Sequence, residues 1–133
     1  MNDDTPERAF HEAESWLVSA KSRLVEAEED DAGANVCCAQ AIHAIIRAND
    51  ALALKFLGRK TTRHDDAAIV YAKIAREGKL PAGAEKFKGL VADAMRDKSG
   101  ADYGKASFSF EDAKEYVEQT AQFIAMVKST LKL

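Results

Sequence analysis

Arg59 and His64, in the segment Gly58-Arg59-Lys60-Thr61-Thr62-Arg63-His64, place a permanent cation five positions from a group that titrates near neutrality. Such a pair suits phosphoryl chemistry on RNA. An imidazole takes the proton of a 2′-hydroxyl, and a guanidinium stabilises the charge that develops on phosphorus. Arg and His also fall this close by chance, and a helix-start histidine bonded to a neighbouring loop is the alternative reading of His64. Arg96, Asp102 and Tyr103 form a second set. Arg96 is expected in the last turn of a helix, with Asp102 and Tyr103 in a glycine-flanked loop that folds back on it. That set reads equally as a structural clasp between two helices. Arg47, Asn49 and Asp50, on the helix that leads into Gly58, are further candidates for contact with a ligand.

Other chemistries find no support in the residue pattern. The chain has no Glu-x-x-His pair of the diiron type, no HExxH, no phosphate-binding glycine loop and no Cys/His zinc spacing. Nothing resembles a nucleophile elbow. Cys37 and Cys38 are adjacent, so on a helix their side chains diverge by about 100° and neither pair with each other nor form a CxxC site. They are expected to be small buried side chains in a reduced compartment. No cofactor and no metal is expected.

The elements that must position these residues are helical. Thr5 is a candidate N-cap with Pro6 at the first helical position, opening a helix over about 6–29. Phe10, Ala13, Leu17, Ala20, Leu24 and Ala27 give it one apolar seam flanked by Trp16. The run Glu28-Glu29-Asp30-Asp31 opposes the helix dipole, and Gly33 is expected to make the break. A second helix over about 34–57 carries Ile42, Ile45, Ile46, Asn49, Leu52, Ala53 and Phe56 on one face, with Asn49 a lone amide among apolar residues. His43, Arg47, Asp50 and Leu54 make a second stripe, and Gly58 ends the helix. Thr61 or Thr62 caps a third helix over about 64–77, with Ala67, Val70, Tyr71 and Ile74 inward. A fourth over about 82–98 buries Phe87, Leu90, Val91, Ala94 and Met95. Ser99 to Gly104 is expected as a loop. The last helix spans about 110–131, opened by Ser109 and Asp112 in a capping-box arrangement. Ala113, Tyr116, Val117, Thr120, Ile124, Val127 and Leu131 form its inner face.

A length of 133 residues fits one domain, and 47 % apolar residues suffice for a core. Seven glycines and two prolines leave little material for a turn-rich β fold. No apolar run approaches the roughly 20 residues needed to cross a bilayer, and the acidic N-terminus lacks a signal-peptide pattern. A cytoplasmic location is the default expectation. The net charge of −3 is uneven. Residues 1–31 hold ten acids against Arg8, Lys21 and Arg23, whereas Lys55, Arg59, Lys60 and Arg63 lie in a stretch with no acid between Asp50 and Asp65. A local basic patch on an acidic chain points to a specific anionic contact rather than general nucleic-acid coating. A solvated loop with ordinary cations is the alternative.

Three stretches together resemble the HEPN superfamily of small helical domains: Ala39 to Leu52, an alanine-rich helix with a recurring polar position; Gly58 to Asp66, a loop ending in a histidine; and Arg96 to Tyr103 followed by Ser109-Phe110-Glu111-Asp112-Ala113 and Ala121-Gln122-Phe123-Ile124. The resemblance covers most of residues 35–131. It implies an all-α, up-and-down bundle of four main helices plus a shorter one, usually a homodimer. Many relatives are metal-independent ribonucleases, often toxins paired with a nucleotidyltransferase-type antitoxin, with an Arg-x4–6-His signature completed across the dimer.

Here Arg96 is followed at that distance by Tyr103, not His, and a phenol with a pKa near 10 is a poor base at neutral pH. The literal spacing, Arg59 to His64, falls earlier. The expectation is therefore a non-catalytic homodimeric binding or regulatory module, which contacts a nucleotide, RNA or protein partner through Arg47, Asn49, Asp50, Arg59, Arg63, His64, Asp102 and Tyr103. The alternative is a toxin-type ribonuclease using His64 with Arg59 or Arg96; a purely structural helical dimer is the third.

Overall fold

In the computed structural model, residues 4–27, 31–60, 66–102 and 108–133 are described. They form five α-helices and one 3-10 turn, with no strand among them: α1 (Pro6–Glu26), α2 (Asp31–Leu57), α3 (Ala67–Arg76), the 3-10 turn Ala84–Phe87, α4 (Lys88–Asp102) and α5 (Phe110–Leu131). Thr61, Thr62, Arg63, His64 and Tyr103, and the side chain of Asp102, lie outside the described residues.

Helix α1 begins as its sequence requires. The Thr5 side chain accepts the Arg8 N–H at 3.1 Å, and Pro6 occupies the first turn, where its missing N–H leaves no bond unmade. Ala9, Phe10, Ala13, Leu17 and Ala20 are buried. The helix ends at Glu26, short of the expected 29, with Ala27 as its C-cap.

Helix α2 then starts at Asp31, three residues earlier than the pattern suggested. An aspartate at a helix start is favoured by the dipole. Gly33 is consequently not the break but part of the first turn of α2, and it is buried. A Cβ built there would lie 3.0 Å from Ala27 Cβ and 3.2 Å from Ala27 Cα. The glycine lets the start of α2 cross closely over the end of α1. Gly33→Ala should therefore destabilise by about 1 kcal/mol, overpacking outweighing the usual helix-propensity gain of alanine. A urea melt that shows stabilisation instead would contradict the close crossing.

With 27 residues, α2 is about 40 Å long and is the element around which the others pack. It meets α1, α3, α4 and α5. Ala34, Ala41, Ala44, Ala48 and Ala51 are fully buried, so neighbouring helices approach without large side chains between them. The core is completed by Ile42, Ile45 and Leu52 of α2, Phe10 of α1, Tyr71 and Ile74 of α3, Val91 of α4, and Phe123 and Val127 of α5. Gly58 closes α2 with φ +75°, donating its N–H to Leu54 O at 3.2 Å.

The chain between α3 and α4 departs from expectation. Instead of a helix from 82, Gly83 in the left-handed region leads into the 3-10 turn that carries buried Phe87. Tyr71 donates its hydroxyl to Ala84 O at 2.5 Å and so pins this turn to α3. At its other end α4 runs through Ser99, Gly100 and Ala101 to Asp102, where a loop was expected. A glycine inside a helix costs about 1 kcal/mol but does not forbid it. Helix α5 opens with the expected reciprocal box: Ser109 Oγ accepts the Asp112 N–H at 3.1 Å, and Asp112 Oδ2 accepts the Ser109 N–H at 2.9 Å. No helix among the described residues is long and apolar enough to cross a membrane.

Candidate functional site

The C-terminal half of α2 carries three of the residues singled out for binding, Arg47, Asn49 and Asp50. Arg47 is only 16 % exposed and its guanidinium is surrounded. Nε donates to Glu12 Oε2 at 2.8 Å, Nη2 to Asp4 Oδ1 at 2.9 Å, and Nη1 to Asp50 Oδ2 at 2.9 Å and to Asp4 Oδ2 at 3.3 Å. Lys60 Nζ lies 3.7 Å from Asp4 Oδ2, and Arg8 Nε lies 3.6 Å from Glu12 Oε1. Among the described residues, three cations thus face three carboxylates where α1 starts beside α2. Burial works against the Arg47 charge, but the bonds to Asp4, Asp50 and Glu12 more than offset it and raise its pKa. The two aspartates respond in opposite directions. The hydrogen bond from Arg47 holds the Asp4 carboxyl below its ordinary range. At Asp50 burial outweighs the attraction of Arg47 and pushes the carboxyl up.

Asn49, one residue before Asp50, turns into the core rather than towards solvent and is 1 % exposed. Its Nδ2 donates to Ala67 O at 3.3 Å, which ties the first turn of α3 to α2, while Oδ1 has no partner among the described residues. Lys55 in the last turn of α2 and Arg59 just beyond it are exposed and make no ion pair among the described residues.

Arg96 belongs to a different neighbourhood. Since α4 continues to Asp102, Arg96 is not in the last turn, and its cation does not serve the free carbonyls there. It sits instead between two carboxylates of its own helix, with Nη1 3.1 Å from Asp93 Oδ1 and Nε 3.1 Å from Asp97 Oδ1. The Tyr116 hydroxyl donates to Asp97 Oδ2 in a short bond. Burial and the adjacent Asp97 push the Tyr116 phenol far above its usual range, so it is no base. These groups line a groove of about 360 Å³ between α4 and α5, to which Asp112 and Glu115 also contribute. The groove is acidic.

Cys38 of α2 feels the charges of Asp112 and Asp97, and Phe108 N–H donates to Asn35 Oδ1 at 2.8 Å, so the acidic groove flanks the first third of α2. Arg59 follows the end of α2, about 30 Å further along the axis at 1.5 Å per residue. Within one chain, then, Arg59 and Arg96 do not share a site. Both cysteines are buried; Cys37 Sγ donates to Ala20 O at 3.3 Å. Burial pushes their thiols up to about 11 and about 12, which leaves them unreactive at neutral pH. No group of three His, Cys, Asp or Glu side chains suited to a metal ion occurs among the described residues.

No family model matches the chain, and no curated protein matches it significantly.

The sequence placed Arg47 and Asp50 on one stripe of the helix with His43 and Leu54, and three residues apart on a shared face the two form an ion pair. Sequence reasoning missed Asp4, Glu12 and Lys60 as their companions, and Asp97 and Tyr116 as those of Arg96. Asp4 and Glu12 lie 43 and 35 positions from Arg47, a separation that only the α1–α2 packing closes. The acidic N-terminal stretch opposite a basic patch was the available signal.

Proposed function

We propose that this chain is a HEPN-like helical module, a homodimeric up-and-down bundle that binds an anionic partner without cleaving it. The observation that carries the reading is the pair of exposed cations Lys55 and Arg59 where α2 ends, neither in an ion pair among the described residues, with Lys60 beside them. An otherwise acidic chain presents there a surface to which a nucleotide, RNA or acidic protein segment is drawn. Order along the chain supports the family: an alanine-rich α2 bearing Arg47, Asn49 and Asp50, the connector from Gly58, Arg96 within α4, and α5 closing the fold.

Binding is preferred to cleavage because of Arg96. A phosphodiester approaching it would meet Asp93, Asp97, Asp112 and Glu115, whose charges repel the substrate and oppose the negative charge of the transition state. The toxin-type ribonuclease, with His64 as acid and base beside Arg59, remains the second reading on the strength of their spacing in sequence. Incubation with total RNA in EDTA, beside His64→Ala, separates the two. We expect intact RNA with both proteins. Cleavage by the wild type that disappears in the variant would overturn the binding reading. Sedimentation at micromolar concentration is expected to give a dimer mass.

A further inference from the structure

Arg47 grips Asp4 end-on, through both terminal nitrogens. Two guanidinium nitrogens meet its two carboxylate oxygens, at 2.9 and 3.3 Å, while Lys60 Nζ approaches Oδ2 at 3.7 Å. A planar fork below an oxyanion and an ammonium above it is how proteins recognise carboxylate and phosphate groups. Here the oxyanion comes from the chain itself. Asp4 precedes α1 and belongs to no helix, and the cap that holds α1 is provided by Thr5. The charge balance also depends on it. With Asp4 in place, Arg8, Arg47 and Lys60 face Asp4, Glu12 and Asp50. With Asp4 displaced, the cations among these described residues outnumber the carboxylates by one around a guanidinium that is 16 % exposed.

We infer that Arg47 and Lys60 form a binding site for a phosphate group, and that Asp4 fills it as an internal ligand. The inference rests on the reading that the C-terminal half of α2 receives anions, and it supplies the specific position and a competitor. A carboxylate monoanion only replaces what Asp4 already gives. A phosphate dianion brings more charge and a further oxygen within reach of Lys60 or Arg8, so it is the ligand able to displace the aspartate. Because the site is open in only a fraction of molecules, the apparent affinity of the wild type is reduced by that fraction.

The test is Asp4→Ala, which leaves the Thr5 cap in place, titrated with inorganic phosphate by calorimetry and by thermal melts. Sodium acetate and sodium chloride at matched ionic strength are the comparison arms, and circular dichroism checks the fold. We expect phosphate to bind the variant about tenfold more tightly than the wild type. Phosphate should raise the variant's Tm beyond the effect of either control salt. Adding Lys60→Gln, at a half-exposed side chain, should remove most of the gain without unfolding the protein. A folded Asp4→Ala variant that takes up phosphate no better than chloride overturns the inference, as does equal binding of acetate or indifference to Lys60→Gln. Wild-type RNA binding through Lys55 and Arg59 alongside a phosphate-blind variant would refute this site alone. Phosphate uptake by the variant with no RNA binding by the wild type would refute the RNA reading alone.

Discussion

Arg47→Ala is expected to destabilise the fold by about 3 kcal/mol, because it leaves Asp50 and Asp4 largely buried without their main cation. The loss should depend on pH in a defined sense. Burial already raises the Asp50 carboxyl in the wild type, so ionised Asp50 costs stability at neutral pH and that cost is relieved as pH falls through its folded pKa. Asp4, lowered by its bond to Arg47, contributes stability that is present above its unfolded pKa and lost as pH falls through its folded pKa. Removing Arg47 takes away the largest part of the Asp4 contribution and enlarges the Asp50 cost. The gap between wild type and variant should be widest near neutrality and narrow towards about pH 4, where carboxylates begin to protonate. The double variant Arg47→Ala/Asp50→Ala should recover part of the loss. Urea melts across that range check the result; a gap that does not change with pH would mean that the guanidinium acts by packing alone.

Phe123→Ala is the second large effect, at about 3–5 kcal/mol. Phe123 is fully buried, with ring centroids 5.7 Å from Tyr71 and 5.5 Å from Phe87. It is the ring that joins α5 to α3 and to the 3-10 turn ahead of α4. Its removal leaves a cavity among elements of three different segments, which cannot all close in together. The same deletion at Phe108, half-buried and set edge-on to Tyr116, should cost clearly less. Thermal or urea unfolding of both variants decides, and equal losses would contradict the central place given to Phe123.

The all-helical architecture was legible because its signals are local. The Thr5 cap with Pro6, the Ser109–Asp112 box and the positive φ of Gly58 each depend on residues within a few positions. Gly33 was misread for the opposite reason. Whether a glycine ends a helix or admits a neighbour depends on what packs against it, and here that is Ala27 at the end of α1. Phe123 was within reach, since it lies on the Thr120–Val127 face of α5, but its role as a joint between segments was not. The polar network shows the same limit. The pattern on α2 exposed Arg47 and Asp50, and only the fold brought Asp4, Glu12 and Lys60 to them. The run from Ser99 to Asp102 looked like a loop through its glycine; its helical backbone moved Arg96 away from the helix end, where its charge had been given a purpose.

Binding of an anionic partner at the end of α2 is the central claim, and the salt dependence of RNA binding tests it most directly. Fluorescence anisotropy of a labelled single-stranded RNA, titrated in EDTA at several sodium chloride concentrations, gives the slope of log K against log salt. That slope counts the phosphates neutralised, at roughly 0.7 per contact for single strands. The wild type is expected to bind with a clear salt dependence, and Lys55→Ala/Arg59→Ala to bind more weakly with a slope shallower by about one to two. An identical affinity and slope in the double variant, or no binding by the wild type at low salt, would contradict the account.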